Sequence, residues 1–181
     1  MGRRRLLPLL ALYARRYLAL AALFFWQGGF TFYAAVVVPV GQDVLGSHLE
    51  QGFITRRVTV YLNLAGAVAL LPLVWDTVGT RDPSAWRRRL RLLLWLAMAA
   101  ALVALYRLHP LLDQYLDPEY HDLSDRRAFR PYHRLYLWVS TVQWGCAVVY
   151  LLLTLLAWRA EDRRGVGAVP DQEHGSPARP S

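Results

Sequence analysis

The hydrophobic residues of this chain fall into four long runs that are separated by arginine-rich segments. A helix of about 20 apolar residues can cross the hydrocarbon core of a bilayer, where only helices or closed barrels pair every backbone polar group. The sequence therefore predicts an all-α integral membrane protein, a four-helix antiparallel bundle. The predicted spans are about 17–40, 58–78, 90–108 and 135–158, within a transmembrane domain at 1–160.

The third run is the shortest of the four. Its charge-free part, 92–106, is about 22 Å long as a helix, which is less than a hydrocarbon core of about 30 Å. Arg91 and Arg107 can restore the missing length by extending their side chains toward the headgroups. A re-entrant segment is the alternative and would put the C-terminus outside, but the tryptophan and arginines at 86–91 favour a full span.

The distribution of arginines predicts the orientation. With the N-terminus, the second loop and the C-terminal tail inside, 14 of the 21 arginines are cytoplasmic and 7 are not. Short cytoplasmic loops carry such an excess of basic residues. We therefore predict an N-in/C-in protein with one longer outer loop at 107–132. The expected location is a bacterial cell inner membrane, which the chain crosses as a multi-pass protein.

The two ends of the chain have sequence features that differ from those of a membrane span. The basic start is similar to an export signal, but Arg15 and Arg16 interrupt the apolar run, which is too long for a signal core. We interpret it as an uncleaved first span. From 161 onward the sequence is rich in glycine, proline, serine and charge, so 161–181 is predicted to be a disordered cytoplasmic tail.

The net charge of +8 comes from arginine, because the chain contains no lysine. These arginines flank the spans and do not form one patch, so we expect the partners to be the lipid bilayer, with a possible homo-oligomer or membrane partner protein, and no nucleic acid. Cys146 is the single cysteine, which excludes an internal disulfide and a cysteine-based metal site.

Polar residues recur at helical spacing within the first, second and fourth spans. Residues three or four apart share a helix face, so each group forms a stripe, and all three stripes lie in the outer half of the predicted bundle. Such a shared patch is either a network of interhelical hydrogen bonds or a site for a small ligand or ion. The candidate buried polar patch comprises Gln27, Thr31, Thr59, Asn63, His133, Tyr136, Ser140 and Gln143.

Asp76 is the one acidic residue inside a predicted span. It lies a few residues from the inner rim, where we expect it to face Arg81 or water. A proton relay would need an ionisable partner at a similar depth, and the sequence indicates none.

The outer loop carries histidines and carboxylates at spacings that could share a helical face. Imidazole and carboxylate groups are ligands for zinc and other divalent ions, although no recognised metal motif is present. Pro110 is predicted to open a short helix here. A salt-bridged, solvated cap is the alternative to a metal or haem site. The candidate metal ligands are His109, Asp113, His121 and His133.

Residues 26–41, WQGGFTFYAAVVVPVG, resemble the first span of a group of small bacterial four-span membrane proteins. The segment 62–70 is similar to their second span. The resemblance implies a four-helix membrane fold and no particular activity. The chain is also similar to copper-resistance membrane proteins that have histidines at the outer rim. Only His109, His121 and His133 could be the corresponding histidines here.

These features predict a multi-pass membrane protein that is non-enzymatic, either an accessory subunit or a small-ligand binder. No catalytic residue and no particular cofactor is indicated. The first alternative is a metal- or haem-handling redox protein that uses the outer-rim histidines. The second is an oligomeric transporter or channel.

Overall fold

The computed structural model describes residues 3–117, 122–123 and 126–167 of the chain. Its four long helices are each long and apolar enough to cross a membrane. Helix α1 is the helical run at 3–45. Helices α2, α3 and α4 are His48–Gly79, Ala85–Asp113 and Arg126–Gly167.

Helix α1 changes its winding twice. It begins as the α-helix Arg3–Leu23 and continues as Gly29–Phe32 and Val38–Leu45, with π-helical turns at Phe24–Gly28 and Tyr33–Val37 between them. The second π turn lies just before Pro39, whose nitrogen has no hydrogen to donate to the preceding turn. Such single π turns inside α-helices are frequently found at functional sites.

The connection from α1 to α2 is much shorter than the predicted loop at 41–57. Helix α1 runs on to Leu45, where Gly46 takes a left-handed conformation with φ of 61° and ends it. Ser47 then caps α2 by accepting a hydrogen bond from the Glu50 N–H. A glycine in the left-handed conformation and a serine cap are the residue types that end one helix and begin the next.

The outer loop is also shorter than predicted, because α3 continues to Asp113 and contains Pro110 within it. The expectation that Pro110 opens a separate helix is wrong. Leu108 and Leu112, on either side of it, are buried in a cluster with Leu105 and Tyr136, so packing holds the helix together. Beyond α3, the strand Leu116–Asp117 (β1) pairs antiparallel with Asp122–Leu123 (β2).

At the C-terminus, α4 extends through Gly167. Residues 161–167 of the predicted tail therefore belong to this helix. Ion pairs of Glu161 and Asp162 with α1 hold this last part of the helix. The remainder of the predicted tail, 168–181, lies outside the described residues.

The core follows from contacts between sequential helices. Helix α1 packs mainly on α2, and α3 packs on both α2 and α4. Trp26 lies against Gly66, where an added Cβ would come within 2.7 Å of the indole. At Gly28 and Gly145, in contrast, nothing lies within 4 Å of an added Cβ. Gly66 is thus the glycine of these three that brings two helices close together.

Candidate functional site

Asp76 lies at the centre of a group of buried charges near one end of the four helices. Its carboxylate is 2.6 Å from Arg91 Nη2 and 3.2 Å from Arg15 Nε. Trp158 Nε1 donates a hydrogen bond of 3.1 Å toward each carboxylate oxygen. The carboxylate therefore joins side chains from all four helices.

The expectation that Asp76 faces Arg81 or water is wrong. Asp76 and Arg91 are both completely buried, and Arg15 is nearly so. A buried carboxylate is strongly destabilising unless cations and hydrogen-bond donors surround it, and here two arginines and an indole do so. Ionisable partners therefore do lie at its depth, contrary to the sequence interpretation.

The charged group continues from Arg15 toward the end of α4. Arg15 Nη2 lies 3.2 Å from Glu161 Oε2, and Arg16 binds Glu161 at 2.9 Å and Asp162 at 2.8 Å. Gly79 makes room for this arrangement, since a Cβ there would overlap the Arg15 guanidinium. Three arginines and three carboxylates form this group, so its formal charges balance. We call it the terminal ion cluster. It comprises Arg15, Arg16, Asp76, Arg91, Glu161 and Asp162.

A second ion pair lies in the connection between α2 and α3. Arg87 donates hydrogen bonds to both carboxylate oxygens of Asp82, at 2.6 Å and 2.5 Å, and the Ser84 N–H donates a third at 2.8 Å. Burial opposes ionisation of Asp82, but the bonds from Arg87 and Ser84 outweigh it and hold the pKa of Asp82 below its ordinary value. This carboxylate fixes the start of α3.

The predicted polar patch divides into separate contacts. Asn63 Nδ2 donates to the Tyr136 hydroxyl at 3.2 Å and joins α2 to α4. Gln143 Nε2 donates to the Met98 carbonyl at 2.9 Å and joins α4 to α3. Both amides are buried, and Ser140 donates to the Tyr136 carbonyl within α4. The hydrogen bonds of Asn63 and Gln143 therefore join neighbouring helices.

Among the other members of the patch, Thr59 lies next to the Tyr136 hydroxyl, whereas the rest lie apart from these contacts. Thr59 donates to backbone carbonyls of its own helix, and the His133 ring stacks on Phe129 with centroids 5.3 Å apart. Thr31 donates to the Gln27 carbonyl and accepts a hydrogen bond from Trp144 Nε1 at 3.0 Å. The structure therefore does not bring the eight predicted residues into one site.

A groove runs between α1 and α4 beside these residues. Its larger part is a wide-open cavity of about 490 Å³, and an adjoining open cavity of about 300 Å³ shares Thr31 and Ala35 with it. The first π turn of α1 contributes Gln27 and Gly28 to its wall. Apart from the polar positions Gln27 and Thr31, no pattern in the sequence indicates this groove. The larger cavity is lined by Leu23, Phe24, Gln27, Gly28, Thr31, Phe32, Ala35, Val36, Ala147, Val148 and Leu151.

The candidate metal ligands have other neighbours. Asp113 lies 2.6 Å from Arg56 Nε and 3.7 Å from His109 Nε2, so an arginine already neutralises its carboxylate. His133 is stacked on Phe129. His121 lies outside the described residues. Within residues 3–117, 122–123 and 126–167, no group of three or more histidine, cysteine, aspartate or glutamate residues could hold a metal ion.

Comparison with protein-family models, curated proteins and solved structures finds no match to this chain. The resemblance seen in residues 26–41 stays a prediction from those residues alone. Function must follow from the groove and the polar contacts described above.

Proposed function

We propose that the chain is a multi-pass integral membrane protein in which each long helix crosses the bilayer antiparallel to the next. The contacts between α3 and α4 support this arrangement. Arg91 Nε donates to Thr154 Oγ1, and farther along α3 the Met98 carbonyl accepts from Gln143. The partner numbers fall along α4 as they rise along α3, as in antiparallel neighbours.

The proposed orientation places both termini in the cytoplasm of a bacterial cell, with the protein in its inner membrane. The terminal ion cluster supports a common side for the two ends, because it joins Arg15 and Arg16 of α1 to Glu161 and Asp162 of α4. The excess of arginine at the termini and in the second loop favours the cytoplasm as that side.

We propose further that the protein is non-enzymatic and binds an apolar small molecule in the groove between α1 and α4. The groove is the observation that carries this proposal. The groove is open on one side, and its volume of about 490 Å³ is large enough to hold a small molecule against the two helices. Its wall is almost wholly apolar, so a lipophilic ligand is the kind of molecule that fits it.

The polar contacts elsewhere support a structural role for the remaining buried groups. Asn63 and Gln143 are each hydrogen-bonded to another helix, and Asp76 is ion-paired within the terminal ion cluster. Groups that already have partners do not need a ligand to satisfy them. The metal- or haem-handling alternative and the oligomeric transporter stay predictions.

Purification in a mild detergent, followed by solvent extraction and mass spectrometry, tests the proposal. Gly28→Leu should place its side chain in the groove, since nothing lies within 4 Å of a Cβ there. Gly145→Leu is the matched control, because it has the same open space but does not line the larger cavity. The wild type and the control should carry one lipophilic compound that Gly28→Leu loses. Equal contents in all three would refute ligand binding in the groove.

A further inference from the structure

The run of arginines at the start of α3 divides into two pairs with different surroundings. Arg87 and Arg91 are four positions apart, so they share one face of the helix, and each forms an ion pair with an aspartate. Arg88 and Arg89 lie between them in sequence, and both are exposed. In the part of the chain that the structure describes, neither of these two side chains contacts a carboxylate.

Unpaired positive charge is in excess at the end of the molecule that carries the terminal ion cluster. The four carboxylates described at this end, those of the cluster and of Asp82, are all bound by arginines. Six more arginines here are exposed and have no carboxylate partner among the described residues. They are Arg81, Arg88, Arg89, Arg159, Arg163 and Arg164. Because each described carboxylate at this end is already paired, the complementary partner of these arginines is an anion from outside the chain.

The outward face of α3 shows what kind of anion fits. Trp86 and Arg89 are three positions apart on this face, and Leu93 and Leu96 continue it along the helix. The tryptophan is 69% exposed, and the two leucines are 60% and 49% exposed. Tryptophan favours the level of the lipid headgroups, and leucine favours the hydrocarbon. Arginine, tryptophan and leucine therefore follow one another in the same order as the headgroup, interface and acyl chain of a lipid.

We propose that this face, with Arg88, Arg89 and Trp86 at its start, binds the phosphate headgroup of an anionic phospholipid. One acyl chain of the lipid lies along Leu93 and Leu96. A zwitterionic lipid also carries a phosphate, but its own ammonium group neutralises that charge, so unpaired arginines favour the anionic lipid. This inference rests on the proposed crossing of the membrane and does not depend on a ligand in the groove.

Native mass spectrometry of the protein in detergent, titrated with phosphatidylglycerol or with phosphatidylcholine of the same acyl chains, tests the inference. Phosphatidylglycerol should bind the wild type more tightly. Arg88→Gln/Arg89→Gln should weaken its binding by about thirtyfold, because two arginines no longer attract the headgroup. Both side chains are exposed, so the melting temperature of this variant in phosphatidylcholine should match the wild type. The control Arg57→Gln/Arg107→Gln removes the same charge at the other end of the helices and should leave binding unchanged.

The outcomes separate this inference from the membrane placement on which it rests. Equal affinity of the wild type for the two lipids, or equal losses in the two double variants, would overturn the inference. Tighter binding of polyglutamate than of phosphatidylglycerol would also overturn it, because an acidic protein would then be the better partner. Failure of the wild type to float with phosphatidylcholine liposomes is a distinct result, since it would refute the membrane placement itself.

Discussion

Arg91 and Asp76 form an ion pair of 2.6 Å in which both side chains are completely buried. The pair joins α3 to α2, and Arg15 and Trp158 bring in α1 and α4. The mutual attraction of two buried charges has to offset the loss of their hydration. Removing one member therefore leaves the other charge buried without compensation.

We expect Asp76→Asn to destabilise the protein by about 3–5 kcal/mol, because two arginines lose their buried counter-charge. Glu161→Gln is the control and should cost less, since the Glu161 side chain is partly exposed. Denaturant unfolding in detergent, followed by circular dichroism, measures both. A loss below about 1 kcal/mol for Asp76→Asn would show that the pair contributes little.

Gly66→Ala should destabilise the contact between α1 and α2 by about 1–3 kcal/mol, the usual cost of overpacking. The new methyl group would lie 2.7 Å from the Trp26 indole, which must then move. Gly28→Ala is the matched control, since its methyl group meets open space and alanine favours a helix. Thermal unfolding of the two variants compares them, and equal melting temperatures would contradict the prediction.

Asn63→Leu and Tyr136→Phe should each reduce stability by about 1 kcal/mol, because either change breaks the hydrogen bond between α2 and α4. In a double-mutant cycle the two losses should not add, since both remove the same bond. Additive losses would mean that the two side chains act independently. Unfolding in detergent at a fixed lipid content supplies the four free energies.

The pH dependence of the melting temperature should reveal the stabilising contribution of the Asp82 carboxylate. Its pKa in the folded protein lies below the ordinary value of 3.8, so the folded state binds the proton less readily than the unfolded state. This contribution is fully present above the ordinary pKa and is lost as the pH falls through the folded pKa. The melting temperatures of wild type and Asp82→Asn should thus differ near neutral pH and converge in acid. A difference in melting temperature that stays constant with pH would show that ionisation of Asp82 does not stabilise the fold.

Reporter fusions test the proposed orientation. A fusion after Ser181 should report the cytoplasm, and one within 116–124 should report the periplasm, because the arginine excess lies on the side of the termini. A periplasmic signal from the fusion after Ser181 would contradict the proposal that α3 crosses the membrane. Helix α3 is the one concerned because its charge-free part is the shortest.

Local patterns were sufficient to predict the four long helices. Each run of apolar residues is continuous, so composition and length alone identify it, and the four predicted spans lie inside the four helices of the structure. The ends were predicted less well. The Gly46–Ser47 turn and the packing around Pro110 lengthen the helices beyond their apolar parts, and neither effect changes the pattern of hydropathy.

The polar contacts could be predicted only in part. The burial of Asn63 and Gln143 follows from helical spacing and is confirmed by the structure. The partners of Asp76 could not be found in this way, because Arg15 and Arg91 lie on other helices and resemble ordinary rim arginines. Pairing between distant segments depends on how helices are arranged, which a single helix does not encode.

Arg15 and Arg16 bind carboxylates that lie 145 or 146 positions later in the chain. During biosynthesis these arginines therefore leave the ribosome long before Glu161 and Asp162 exist. Until Asp76, and later Glu161 and Asp162, are synthesised, these arginines lack their ion-pair partners, and basic residues beside an apolar run favour the cytoplasmic side. In the proposed orientation, the same side chains would act first as a topological signal for the growing chain and later as ion-pair partners of the last helix.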